Sequence, residues 1–308
     1  KIMAVSLYTQ ESKNVWKTWI YMIFFVLLFV IVGFALAFYY QDVNILYFAV
    51  IFSLIINFFS FWYSDKVALK MAGAREITKN EYPDFWNVAE NLSITAGLPM
   101  PKLYIVNDPI PNAFATGRDK NHSAIAATTG LLSMLNKTEL EGVVAHEMSH
   151  IGNRDILLST IVVIMVSAIS FLSQIFFRTR LFGGGRSKEN EGGGIMLILS
   201  FAAIILAPIA ATIIQLAISR KREFLADASG AILTRYPEGL ASALQKISQF
   251  HQPLIHANNS TAHMYIVNPM GLNGELNEDE EEKISWFSKI FMTHPPVKER
   301  VKALLGEK

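Results

Sequence analysis

Val143-Val144-Ala145-His146-Glu147-Met148-Ser149-His150 is the stretch on which the reading of this 308-residue chain turns. His146 and His150 stand four residues apart, and on a helix positions i and i+4 share a face. Both imidazoles can then hold one metal ion. Glu147, directly after the first histidine, sits where it can take a proton from a bound water. This is the H-E-x-x-H arrangement of zinc hydrolases, with the glutamate as general base. The flanks predict the helix. Thr138 followed by Glu141 reads as a capping box, and Leu140, Val143, Val144, Met148 and Ile151 recur at helical spacing. The plain alternative is a polar helix face with two solvated or core-satisfied histidines.

Composition narrows the chemistry. The chain is 52% hydrophobic and only 17% charged, against roughly 25% charged in soluble proteins. The net charge of +1 carries no nucleic-acid footprint. The absence of cysteine excludes disulfides and thiolate ligands, leaving His, Asp and Glu to bind metal.

The apolar residues are gathered into runs. Thr18 to Tyr40 has no charge and is long enough to cross a hydrocarbon core of about 30 Å. Ile45 to Tyr63 follows after a four-residue turn, Gln41–Asn44, which predicts a membrane hairpin over 1–63. Trp16, Trp19, Tyr21, Tyr39 and Tyr40 sit at the ends of the first run, as an aromatic belt does. Lys13 and Lys17 precede the pair, and Lys66, Lys70, Arg75 and Lys79 follow it. The positive-inside rule therefore puts both ends in the cytoplasm. A second hydrophobic hairpin is expected over 157–219, from the runs Ile156–Phe177 and Ile195–Ser219. The mixed-charge loop between them opposes the same rule, so an alternative is that these helices pack partly within the protein. Residues 64–156 and 220–308 read as the two parts of a catalytic domain. The first carries a helix over 83–96, short strands at Leu103–Val106, Asn112–Gly117 and His122–Ala127 with a turn over 117–121, and a short helix near Leu131–Leu135. The second carries a helix from Pro237 to about Phe250 and an aromatic amphipathic segment at 284–292. A basic helix follows His294-Pro295-Pro296. The fold class expected is an α+β membrane protein, mostly helical, with a small sheet beside the metal helix.

A catalytic zinc usually has three protein ligands and an open position. Glu223, just past the last apolar run, is the candidate third ligand; the competing reading pairs it with Arg220 or Arg222. Asp227, one turn on, can accept from the far nitrogen of His146 or His150 and fix its tautomer. His294 or Arg300 can donate to an oxyanion, though His294 also reads as an ordinary turn before a helix. The strand containing Asn112 and Phe114 either pairs with an extended substrate or is an internal strand.

H-E-M-S-H at 146–150, S-R-K-R-E-F-L-A-D at 219–227, N-A-F-A-T-G at 112–117 and T-H-P-P at 293–296 together resemble the HtpX family. These are membrane-embedded bacterial zinc endopeptidases related to the CaaX-processing proteases. The resemblance spans nearly the whole chain. It implies four hydrophobic helices, a zincin-like cytoplasmic catalytic domain in the bacterial inner membrane, and one Zn²⁺ per chain on His146, His150 and Glu223. It also implies Glu147 as catalytic acid and base, and damaged or misassembled membrane proteins as the polypeptide substrates. Rival readings are a CaaX-type processing protease, which needs a large membrane chamber, and a non-proteolytic membrane protein with a structural metal. A transporter is disfavoured, because the apolar runs contain no carboxylate.

Overall fold

The computed structural model describes residues 11–182, 220–250, 254, 264–267 and 295–306. Helices α1 (Glu11–Tyr40) and α2 (Asn44–Met71) form the expected antiparallel pair. The turn is closed by Asp42, whose carboxylate accepts from the backbone and side-chain amides of Asn44. Gly33 lets the helices approach closely: a Cβ there would lie 2.5 Å from that of Ala49. Both helices are long and apolar enough to cross a membrane. Phe34, Phe38, Phe48, Ile51 and Phe58 turn outward, each more than half exposed. Such a continuous apolar face belongs against lipid. The helices also extend beyond the apolar runs, and these extra turns dock on the rest of the protein. Asn14 is buried at the start of α1, and Ala68 and Leu69 are buried near the end of α2.

The sheet consists of β1 (Ala74–Glu76), β2 (Lys102–Val106), β3 (Ala113–Asp119) and β4 (His122–Thr128), in the order β1-β2-β4-β3. β2 and β4 are parallel and the other pairs antiparallel. Strand side chains alternate between faces, and here both faces are covered. Leu103, Ile105, Ala113, Ala115, Ile125 and Ala127 join one core with helices α3 (Pro83–Ala96) and α5 (Lys137–Gly152). Val106, Phe114, Ala124 and Ala126 join another with Ala68 and Leu69 of α2. The sheet is therefore clamped between the metal helix and the foot of the membrane hairpin. β1 was not expected from sequence; three residues, two of them charged, carry no periodic signal. The strand expected to end at Gly117 continues to Asp119 through a register shift. Gly117 permits this at φ 143°, where a Cβ would come within 2.3 Å of the His122 carbonyl.

One further expectation is corrected. The capping box of α5 is Asn136 with Glu139, not Thr138 with Glu141. The helix starts at Lys137, so Thr138 is already inside it, and its hydroxyl donates to Asn136 Oδ1. Helix α6 (Asp155–Phe182) contains the third apolar run and leaves α5 at an 80° bend. Its described side chains face protein. Leu157, Ile161, Val162 and Met165 pack on Met22, Phe25 and Phe29 of α1. The run at 195–219, the loop at 183–194, the amphipathic segment at 284–292 and His294 lie outside the described residues.

Helices α7 (Arg220–Thr234), α8 (Pro237–Ser248) and α9 (Val297–Leu305) complete the layer around α5. α7 reaches α5 closely because Gly230 faces it: a Cβ there would lie 3.1 Å from His146 N.

Candidate metal centre

Helix α5 is buried along most of its length, and His146 and Glu147 are each 1% exposed. Glu223 and Asp227, one turn apart, lie on the face of α7 that meets it. His146, His150 and Glu223 offer ligand atoms within 4.8 Å of one another. The two histidine Nε2 atoms are 3.2 Å apart. Each is 3.7 Å from a different oxygen of Glu223. Bonds of about 2.0–2.1 Å to a tetrahedral ion would set neighbouring ligands roughly 3.3 Å apart. The histidine pair has that spacing, and Glu223 needs only a small inward movement.

The far nitrogens are fixed by carboxylates. His146 Nδ1 lies 2.9 Å from Asp227 Oδ1, and His150 Nδ1 lies 3.0 Å from Asp155 Oδ2. Both Nδ1 atoms therefore act as donors, and both Nε2 atoms turn to one point. Burial pushes His146 below its usual pKa against the pull of Asp227. Burial pushes His150 the same way, but Asp155, Glu223 and Glu147 outweigh it and raise that imidazole to about 9. The point between the rings thus favours positive charge. A metal ion bound there would take the place of the proton that His150 favours.

Glu147 has one carboxylate oxygen on the Ala115 amide of β3. Its Oε2 is buried without a hydrogen-bond partner among the described residues. Desolvation, reinforced by Glu223, raises its carboxyl to about 7. A carboxyl so poised can both take and give a proton near neutral pH.

Behind the candidate ligands lies a layer that no local pattern in the chain marks. Arg300 of α9 is fully buried and grips Asp227 with two bonds of 2.7 and 2.8 Å. It also donates to the Ile266 carbonyl at 2.9 Å. Asp227 holds Arg300 above its usual pKa against the opposing effect of burial, so the guanidinium stays charged. On the other side, Asn14 of α1 donates to Asp155 at 2.5 Å and to the Asn153 carbonyl at 2.9 Å. Asp155, the first residue of α6, thus joins His150 to the membrane hairpin. Arg222, one of the two partners considered for Glu223, lies 3.7 Å from Asp155 instead.

Asn112 and Phe114 lie beside the site but already have partners. Asn112 donates its side-chain amide to the Val267 carbonyl at 2.9 Å. Phe114 forms an antiparallel bridge with Tyr265, their rings 4.9 Å apart. Ile266 N donates to the Ala113 carbonyl at 2.9 Å. Residues 265–266 thus pair with the outer edge of β3, and the next outward amide, that of Ala115, serves Glu147.

Comparison with known proteins places the chain in a family. The model of peptidase family M48 matches residues 79–308. The chain is 49% identical over 244 residues to a Protease HtpX homolog of Tropheryma whipplei (strain Twist), covering 79% of each chain. It is 44% identical over 305 residues to the Protease HtpX homolog of Dictyoglomus turgidum, covering 98% of this chain and 95% of the relative. Among solved structures, S. mikatae Ste24p aligns with a TM-score of 0.51 at 16% identity, over 94% of this chain and 66% of that one. At that identity the likeness speaks for the fold alone.

Proposed function

The chain belongs to peptidase family M48 and is a membrane-bound metalloprotease, and from that premise we propose that it is a zinc endopeptidase acting on misfolded or damaged membrane proteins. The observation that carries the reading is the convergence of His146 Nε2, His150 Nε2 and Glu223 on one point, with Asp227 and Asp155 holding the far nitrogens. Zinc held there would polarise the scissile carbonyl and lower the pKa of a water.

The chain's own residues supply the rest. Glu147 accepts the water's proton through its unpartnered oxygen and returns it to the leaving amine. Ala115 N–H steadies the other oxygen, and so fixes which oxygen reacts. Arg300 keeps Asp227 ionised and is engaged by Asp227 and Ile266, so the oxyanion donor we propose is His294. The β3 edge at Ala113–Phe114 is already paired with residues 265–266. Ala115 N–H serves Glu147 and the Gly117 carbonyl accepts from Thr160, so a substrate strand would reach Asn112 and Phe114 by displacing residues 265–266. Pairing through backbone atoms gives weak sequence preference, which suits disposal of varied substrates. We place the site on the cytoplasmic side of a bacterial inner membrane, from the basic flanks of α1 and α2.

The test uses detergent-purified protein with casein as substrate. Glu147→Gln should abolish cleavage while metal analysis still finds about one zinc per chain. Glu223→Ala should lose the zinc. Cleavage that survives a chelator, or wild-type turnover by Glu147→Gln, overturns the reading.

A further inference from the structure

The outward face of α2 ends in a small charged cleft. Phe48, Ile51, Ile55, Phe58 and Trp62 follow one another at helical spacing along that face, and all are exposed. Beyond Trp62 the face meets the β3–β4 hairpin. There Trp62, Tyr63, Asp65, Lys66, Arg118 and His122 line a cleft of ≈ 270 Å³. We propose that this cleft binds the phosphodiester headgroup of a membrane glycerophospholipid, whose acyl chains lie along the apolar face of α2.

The polar groups are arranged for such a ligand. The Arg118 guanidinium lies over the Trp62 ring, 4.5 Å from its centre. Its Nε is 3.2 Å from Asp119 and its Nη2 is 3.0 Å from His122 Nε2. Asp119 also takes His122 Nδ1 at 2.9 Å, so one carboxylate orients both side chains. Lys66 Nζ lies 5.5 Å from the Tyr63 ring centre, and among the described residues it forms no ion pair. Two cations, Lys66 and the Asp119-paired Arg118, therefore line a cleft that Trp62 and Tyr63 also line. Aromatic residues with nearby lysine or arginine occupy the headgroup level of a bilayer. Asp65 lines the same cleft, which suits one phosphodiester beside a neutral or ammonium head alcohol and not a polyanion.

Size points the same way. The cleft is smaller than the roughly 300–1,000 Å³ of pockets that enclose a drug-sized ligand. It has room for a headgroup and leaves the chains outside, where the α2 face continues. The hairpin is already tied to the other membrane helix by Lys120 and Glu11 at 2.9 Å. Arg118 lies three residues along β3 from Ala115, whose amide holds Glu147. A lipid seated in the cleft would thus anchor the strand that borders the metal centre.

The proposal rests on α1 and α2 lying in the membrane, but not on proteolysis. Full-length protein in detergent is titrated with dioctanoyl phosphatidylglycerol and dioctanoyl phosphatidylethanolamine, and bound lipid is counted by native mass spectrometry. Dioctanoylglycerol and glycerol 3-phosphate serve as controls. Both phospholipids should bind the wild type. Exposed Lys66→Gln should weaken each about fivefold, the contribution of one cation near a membrane surface, and adding Arg118→Gln should weaken them further. If the double variant does not fold, Lys66→Gln alone carries the test. Unchanged binding by Lys66→Gln overturns the proposal. So does equal binding of the phosphate-free lipid, or of glycerol 3-phosphate without chains. Failure of the membrane premise would show separately, as protein that stays dispersed in water without detergent.

Discussion

The link between Asn14 and the metal centre can be tested quantitatively. Asp155 accepts from Asn14 at 2.5 Å and from His150 at 3.0 Å, with Arg222 at 3.7 Å. It is 4% exposed, so little water can replace a lost partner. Removing the carboxylate behind a metal-bound histidine typically costs 10–100-fold in metal affinity, or about 1.4–2.7 kcal/mol. Asp155→Ala should fall in that range. Asn14→Ala leaves the carboxylate in place and removes only a donor. It should lose about 3–10-fold in metal affinity, the smaller share expected one bond further from the metal. It should also lose roughly 1.5–3 kcal/mol of stability, the usual worth of a hydrogen bond to a charged group. The assay is competition for zinc with a chromophoric chelator in detergent, with thermal melts of the metal-free protein alongside. Because Asn14 acts on His150 through Asp155, the double variant should bind zinc no worse than Asp155→Ala alone. Additive losses, or an Asn14→Ala variant with wild-type affinity, would refute the coupling of the first membrane helix to the metal site.

Three other outcomes follow from the same contacts. Arg300→Ala leaves Asp227 buried beside His146 without its cation, and melts should show about 3–5 kcal/mol of lost stability; Arg300→Lys should recover part of it. Glu139 caps α5 and binds Lys246 and Ser242. Burial opposes its ionisation, but these partners hold its carboxyl below the usual value. Its stabilisation is therefore complete above about pH 4.3, the ordinary glutamate value, and is lost as pH falls through the lowered folded-state pKa. The stability gap between wild type and Glu139→Gln should accordingly close on acidification, and a gap independent of pH would contradict this. Finally, the chain has no cysteine, so single cysteines report topology cleanly. In intact cells a membrane-impermeant maleimide should label Asp42→Cys in the turn between α1 and α2 but not Lys79→Cys. The reverse pattern would invert the proposed orientation.

The local features of the centre were legible in the chain because each depends on residues close together. The spacing of His146 and His150 needs only a helix. The pairing of Glu223 with Asp227 needs only one turn of another. Uncharged runs set the two membrane helices by length alone. Where local rules competed, the reading slipped. Thr138 and Asn136 both suit a helix cap, and the choice between them depends on where α5 starts. The hairpin turn was placed at Gly117, yet that glycine serves a register shift within β3 instead.

Apolar pattern also fails to say what an apolar helix touches. The start of α6 reads like α1, but its described side chains pack on protein while one face of each of α1 and α2 turns outward. Hydrophobicity reports the wish to leave water, and lipid and protein core satisfy it equally. Contacts between distant segments were beyond the sequence for a related reason. Asn14 and Asp155 are 141 positions apart, and Asp227 and Arg300 are 73 apart. Nothing local marks one as the partner of the other, since a lone asparagine or arginine is ordinarily a solvated side chain. The amino-acid sequence alone determined the paired histidines of one helix and the two long apolar helices, because helical periodicity and run length suffice for both. Only the tertiary structure decided which buried groups hold those ligands in place, because burial is what turns a common polar residue into an obligatory partner.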